Sequence, residues 1–335
     1  MLPKRILIVG PSWVGDMVMA QSLLITLKQN SPDSLIDVLA PFWSFGLLER
    51  MPEINRAIAM PLTHGQFGLG ARFRLGQQLR SEKYQQAIIL PNSWKSALIP
   101  WFAGIPLRTG YVGECRWGLL NDSRHLDKQQ LKMTVERFVS LGLTSSTKLP
   151  PTCPTPQLTI TTEAQQSAMA QFKLTESSKI LALCPGAEYG EAKRWPVKHF
   201  ATLANHQLNN NWQVWLFGSD KDQAIAAQIN QLTQNRCTDL TGRTSLSQAI
   251  DLLSLAQVVV SNDSGLMHVA AALDKPVIAL YGSSDPSFTP PLNDKAHIVT
   301  QSLACSPCFQ RVCPLGHTDC LYGISPEQVQ SLLPS

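Results

Sequence analysis

Val258-Val259-Val260-Ser261-Asn262-Asp263-Ser264-Gly265-Leu266-Met267-His268 is a strand, a loop and the first turn of a helix in succession. Three consecutive valines suit a strand covered on both faces, and such strands belong to parallel sheets with helices on either side. Ser, Asn, Asp and Gly then break the run, and helical spacing takes over from Leu266 to Leu273. The chain opens on the same plan. Arg5 to Val9 is apolar after its first residue and runs into Gly10-Pro11-Ser12-Trp13-Val14-Gly15-Asp16. A helix is expected from about Asp16 to Gln29, with Met17, Ala20, Leu24 and Leu27 near helical spacing.

Outward from these two stretches, strand and helix patterns alternate. In the first half, strands are expected at Leu35–Ala40, Ala57–Met60 and Gln86–Leu90, and helices at Phe45–Met51, in a long basic region ending near Arg80, and at Ser93–Phe102. In the second half, strands are expected at Ile180–Cys184, Gln213–Phe217, Thr238–Leu240, Val258–Val260 and Val277–Tyr281. Helices are expected from near Trp195, with Pro196 in the first turn, and at Asp222–Leu232, Leu246–Leu255, Leu266–Leu273 and Pro326–Leu333. Between the halves, Leu149-Pro150-Pro151-Thr152-Cys153-Pro154-Thr155-Pro156 holds four prolines in eight residues, which blocks both helix and central strand. The expected organisation is therefore two Rossmann-like, doubly wound α/β domains, 1–149 and 161–335, joined by a Pro-rich linker at 150–160 and facing a central cleft. A chain of 335 residues is long enough for two such cores.

Composition excludes several classes. At 44% hydrophobic residues the chain is a folded protein and not a disordered one. The apolar run after Lys4 and Arg5 ends at Val9, short of the roughly 7–15 residues of a secretory signal. Ala97 to Ile105 is broken by Pro100 and falls short of the ~18 residues of a membrane span. A cytoplasmic protein is expected. Charge is uneven: residues 1–149 carry 17 Lys/Arg against 10 Asp/Glu, or +7, and residues 150–335 carry 11 against 14, or −3. The basic first half suits an anionic partner, although solvated arginines give the same count.

Four of the eight cysteines form Cys305-x2-Cys308-x4-Cys313-x6-Cys320. In a cytoplasmic chain this leaves open a metal site or a reduced, redox-sensitive loop; the spacing matches none of the common zinc-finger or ferredoxin patterns.

In sheets of this kind ligands sit beyond the carboxyl ends of the strands, so the loops there are where chemistry is expected. The loop Gly10–Asp16 lacks both the Gly-x-Gly-x-x-Gly dinucleotide fingerprint and the Gly-Lys-Ser/Thr of a P-loop. It offers Asp16 at a helix N-terminus, as a helix cap or as a general base taking a proton from an attacking hydroxyl. Asp263, Ser264 and Gly265 open a helix whose N–H groups and dipole suit a pyrophosphate, and His268 lies one turn on along the same face. Lys193, in Lys193-Arg194-Trp195-Pro196, is placed to neutralise a departing diphosphate or to be a solvated cation. Asp220, past Phe217-Gly218-Ser219, is either an N-cap or a carboxylate for ribose hydroxyls.

Taken in order, these segments resemble the ADP-heptose:lipopolysaccharide heptosyltransferases over nearly the whole chain. The resemblance runs through Gly10–Met17, Leu90-Pro91-Asn92-Ser93-Trp94-Lys95-Ser96-Ala97-Leu98, Arg108–Glu114 and Gly118–Asp122. It continues through Cys184-Pro185-Gly186-Ala187-Glu188, Ala192–Pro196 and Asn262–His268. It implies a GT-B fold, with acceptor at the first domain and nucleotide sugar at the second. It also implies an inverting transfer of L-glycero-D-manno-heptose from ADP-heptose to the first heptose of the lipopolysaccharide inner core. By resemblance Asp16 is the catalytic base and Lys193 the diphosphate-binding lysine. Asp263, Ser264, Gly265 and His268 hold the donor's phosphates and sugar, and Asp220 is a looser match to a ribose carboxylate. Lys95, Arg108 and Arg116 are candidate acceptor contacts. The acceptor implied is heptosyl-Kdo2-lipid A, met by peripheral contact with the inner leaflet of the cytoplasmic membrane. No cofactor, no resident metal in the catalytic pattern and no nucleic-acid partner are expected. Three other readings stay open: a heptosyltransferase acting on Kdo or a later core sugar, a GT-B nucleotide-sugar epimerase, and a non-catalytic nucleotide-sugar-binding protein.

Overall fold

A computed structural model describes residues 3–63, 65–144, 146–177 and 179–334. It divides into two compact units, Met1–Pro156 and Gln157–Ser335. The first contains a sheet of β1 (Arg5–Val9), β2 (Leu35–Ala40), β3 (Arg56–Ala59), β4 (Gln86–Ile89), β5 (Leu107–Tyr111) and β6 (Asp122–Arg124), in the order β3-β2-β1-β4-β5-β6. The second contains β7 (Ile180–Cys184), β8 (Gln213–Leu216), β9 (Thr238–Asp239), β10 (Val258–Asn262), β11 (Val277–Tyr281) and β12 (Ala296–Thr300), in the order β12-β11-β10-β7-β8-β9. Each sheet is parallel, and the two share one topology: the order runs outward in one direction, then restarts on the other side of the first strand. The restart falls between β1 and β4 in one unit and between β7 and β10 in the other. Loops leaving these strands diverge there and open the crevice such folds use for ligands.

The central strands read as apolar runs because both their faces are covered. β7, β10 and β11 are buried along their whole length. Val9 lies between Leu39 and Ile89, and Val260 between Leu183 and Ile278. The first core gathers Leu7, Val9, Ile89, Ile99 and Leu120, and the second Leu183, Phe200, Leu216, Val260 and Leu280 around Trp195. Trp195 is buried with its indole N–H donating to Ile324 O at 2.9 Å, which removes the cost of burying that donor.

Several elements differ from the sequence expectation. β5, β6 and β12, and the helices Thr134–Leu141 and Thr162–Phe172, are additional. The expected helix Ser93–Phe102 is a 3₁₀ turn, Trp94–Ala97, followed by the helix Leu98–Phe102. Pro196 is the N-cap of the helix Val197–Asn209 and not part of its first turn, with an extended ψ of 137°.

Much of the basic excess of the first unit is engaged within it. Arg5 and Arg56 pair with Glu82 at 2.7 and 3.1 Å, and Arg56 also meets the buried carboxylate of Asp37 at 3.0 Å. Arg124 donates to Ser140 O and Leu143 O at 2.7 and 2.6 Å. Among the described residues no helix is long and apolar enough to cross a membrane.

Candidate active site

At the end of β1, Gly10 packs closely on the next helix: a Cβ there would lie 2.8 Å from Met17 Cε, in the first turns of that helix. That helix spans Val14–Asn30 with Trp13 as N-cap. Asp16 therefore stands inside the first turn and is not the cap, and its carboxylate lies where the helix dipole favours negative charge. It is half-buried, so it keeps a route to solvent.

Beyond β4 and β5, the two loops that the sequence pairs with the acceptor brace each other. Trp94 N donates to Glu114 Oε2 at 2.8 Å, and the buried Arg116 donates to Pro91 O at 2.8 Å and also to Tyr111 O. Arg108 likewise donates to Leu119 O and Ile105 O, both at 2.6 Å. Burial pulls the pKa of both guanidinium groups below the ordinary arginine value. These donors of Arg108 and Arg116 serve main-chain carbonyls and fix the loops. Lys95 is half-buried in the 3₁₀ turn, and its carbonyl accepts from the buried Arg72 at 3.1 Å. Arg72, which sequence reasoning passed over, thus pins the turn that presents Lys95.

In the second unit the switch point brings together residues 70 positions apart. Lys193 Nζ donates to Asp263 Oδ2 at 2.5 Å, with side chains 17% and 6% exposed. Lys193 ends the 3₁₀ turn Glu191–Lys193 after β7, and Asp263 follows β10. Asn262 ties the two sides: its Oδ1 accepts from Trp195 N at 2.9 Å, and its Nδ2 donates to Pro185 O at 2.7 Å. Ser264 is the N-cap of the helix Gly265–Ala272 but makes no side-chain cap bond, so its hydroxyl leaves the first-turn N–H groups to another acceptor. His268 lies within that helix, buried. Its pKa is pushed down to about 4, chiefly by burial and further by Lys193, against the opposing pull of Asp263. The imidazole is neutral at physiological pH.

The structure unites Lys193, Asp263 and His268, with Ser264 and Gly265 leading into the same helix. Asp220 sits apart, exposed at the start of the turn Asp220–Asp222. The cap reading for Asp220 is replaced. Ser219 is the N-cap there, and buried Asp222 accepts from Ser219 N and Oγ at 2.9 and 2.8 Å. Asp222 also sets the need for glycine at 186, where a Cβ would lie 2.4 Å from its carboxylate. Sequence reasoning missed Asn262, Asp222 and Tyr189, whose ring centroid lies 5.0 Å from Lys193 Nζ. An Asn ending a buried strand that opens on three valines was the available signal for the first. All eight cysteines are free thiols, and among the described residues no group of three or more His, Cys, Asp or Glu side chains is arranged to hold a metal.

Residues 72–319 match the model of glycosyltransferase family 9 (heptosyltransferase). The chain is 51% identical over 305 residues to lipopolysaccharide heptosyltransferase 2 of Salmonella typhimurium, covering 88% of this chain and 87% of that protein. It is 49% identical over 304 residues to the Escherichia coli K12 protein of the same name, covering 88% and 87%. The solved structure of E. coli ADP-heptose lps heptosyltransferase II superposes with a TM-score of 0.87 at 43% identity, covering 98% of this chain and 97% of that one.

Proposed function

This chain belongs to glycosyltransferase family 9, and we propose that it transfers heptose from ADP-heptose to the first heptose of the lipopolysaccharide inner core, with inversion at the anomeric carbon. The acceptor is heptosyl-Kdo2-lipid A, bound by the first unit, and ADP-heptose is bound by the second. The observation that carries the reading is the Lys193–Asp263 pair at the switch point of the second sheet, beside a helix N-terminus whose cap residue leaves its N–H groups available.

An inverting displacement needs a base for the attacking hydroxyl and stabilisation of the departing ADP, and no covalent enzyme intermediate. Asp16 takes the proton of the acceptor hydroxyl. As the glycosidic bond to the diphosphate breaks, Lys193 and the first-turn N–H groups after Ser264 meet the growing negative charge, already oriented and without a metal clamp. Asp263 holds Lys193 in place before the donor arrives. Neutral His268 can donate or accept a hydrogen bond toward the donor without adding charge. Asp220 receives the ribose hydroxyls, and Lys95 receives an anionic group of the acceptor. Turnover requires water to be kept from the donor so that ADP-heptose is not hydrolysed.

Contact with the inner leaflet is assigned to one face of the first unit. Phe73 and Trp101 are exposed on the helices Leu69–Leu79 and Leu98–Phe102 and both pack on Phe102, with ring centroids 5.2 and 5.1 Å away. Phe67 lies 5.1 Å from exposed Trp94, and exposed Arg74 and Arg80 flank the ridge. Aromatic and cationic groups side by side suit a headgroup boundary.

The direct test is Asp16→Asn. It should fold and bind ADP as the unaltered protein does, and lose about 10²-fold or more in turnover. Full activity in that variant would remove Asp16 from the mechanism.

A further inference from the structure

We infer that Arg311 is a second cation for the donor's diphosphate, and that the cysteine-rich segment exists at this site to deliver it. The inference rests on the reading of Lys193 as the diphosphate lysine and extends that site by a residue from outside the catalytic pattern. Its starting point is Tyr189. The ring centroid of Tyr189 lies 5.0 Å from Lys193 Nζ and 5.2 Å from Arg311 Cζ. Two cations sharing one ring stand no more than about 10 Å apart, the two ring distances laid end to end. Bringing like charges together is unfavourable unless something anionic is to lie against them. Lys193 already has Asp263. Arg311 is exposed, and no carboxylate among the described residues pairs with it within salt-bridge distance. The nearby Glu188 is engaged by Lys221.

The main chain around Arg311 is fixed and not a loosely draped loop. Ala192 N, immediately before Lys193, donates to Arg311 O at 3.0 Å. Tyr189 Oη donates to Phe309 O at 2.8 Å, and Phe309 N donates to Ser283 O at 2.7 Å, beyond β11. Ser306 Oγ donates to Gly282 O at 2.6 Å. The segment from Ser306 to Arg311 therefore bridges the loop after β7 and the loop after β11, on either side of the Asp263 loop. Gly190 is part of the same contact, because a Cβ there would lie 2.3 Å from Arg311 O. These bonds involve the backbone and Tyr189, so the Arg311 side chain is left to face a ligand. A guanidinium meets phosphate oxygens through a planar fork of donors, which a single ammonium such as Lys193 cannot offer.

The test is titration of ADP and of adenosine into the full-length protein and its Arg311→Ala, Arg311→Lys and Lys193→Ala variants, with KM for ADP-heptose measured alongside. Arg311→Ala should weaken ADP binding by about 10-fold or more, the scale of a lost charge-assisted hydrogen bond. Adenosine affinity should stay within about threefold, KM should rise more than kcat falls, and Arg311→Lys should recover part of the loss. Unchanged ADP affinity in Arg311→Ala, with ADP binding weakened in Lys193→Ala, overturns this inference and leaves the donor site intact. An equal loss for ADP and adenosine overturns it too, by making Arg311 a structural brace. If Lys193→Ala leaves ADP binding unchanged, the donor-site reading itself falls, and this inference with it.

Discussion

Removing the ammonium of Lys193 tests both the energetics and the chemistry of the second unit. Asp263 is 6% exposed at its side chain and Lys193 17%, so the pair is largely withdrawn from water. Breaking a buried pair by deleting one partner costs about 3–5 kcal/mol, because the remaining charge is stranded. The partial opening at Lys193 favours the low end, about 3 kcal/mol. For a unit of this size each kcal/mol moves the midpoint by about 2–4 °C, so Lys193→Met should lower the melting temperature of the second unit by roughly 6–12 °C. Lys193→Met/Asp263→Asn removes the stranded charge and should recover most of that loss, with a coupling energy of about 2 kcal/mol or more. The assay is calorimetric unfolding of the unaltered protein, both single variants and the double variant, followed by ADP titration. ADP affinity should stay low in the double variant despite the recovered stability, because the lysine is still missing. A loss below about 1 kcal/mol in Lys193→Met, or no recovery in the double variant, would refute the argument that this pair is a stability element held ready for the donor.

Two further outcomes are expected. His268 has a folded pKa of about 4 against an ordinary value of 6.5, so the unfolded chain takes up a proton that the folded chain resists. Its contribution to stability is complete above about pH 6.5 and lost as pH falls toward 4, amounting to about 3 kcal/mol there. His268→Gln should flatten the unfolding profile in that window, and an identical pH dependence in the two proteins would contradict this. Phe73→Ser/Trp101→Ser should lower sedimentation with vesicles containing anionic phospholipid by about 10-fold or more, from the apolar area removed, while ADP binding is kept; unchanged sedimentation would acquit that face.

Most of the sheet framework was legible because its inner strands are covered on both faces and leave unbroken apolar runs. Leu35–Ala40, Ile180–Cys184 and Val277–Tyr281 have the limits that their sequences suggest. β5, Leu-Arg-Thr-Gly-Tyr, carries an arginine and a glycine near the sheet margin, and β6 is Asp-Ser-Arg, so neither shows such a run. Within the site, the loops that carry Lys193 and Asp263 lie beyond strands, as their sequences suggest, and the fold pairs the two side chains. Asn262 and Asp222 were not legible, because their roles lie in bonds to Pro185, Trp195 and Ser219 and in the space beside Gly186, which only the fold brings within reach. Arg108 and Arg116 likewise make bonds that their sequence positions do not show. A guanidinium in sequence is a charge, but here the five-donor fork satisfies carbonyls that would otherwise be costly to bury.

The most direct measurement of the central claim is heptose transfer from ADP-heptose to two purified acceptors, Kdo2-lipid A and heptosyl-Kdo2-lipid A. Transfer to heptosyl-Kdo2-lipid A alone is the predicted result. Transfer to Kdo2-lipid A would move the acceptor assignment to the unheptosylated core, and transfer to neither would contradict the account of Asp16 and Lys193 as the two ends of a heptosyl transfer.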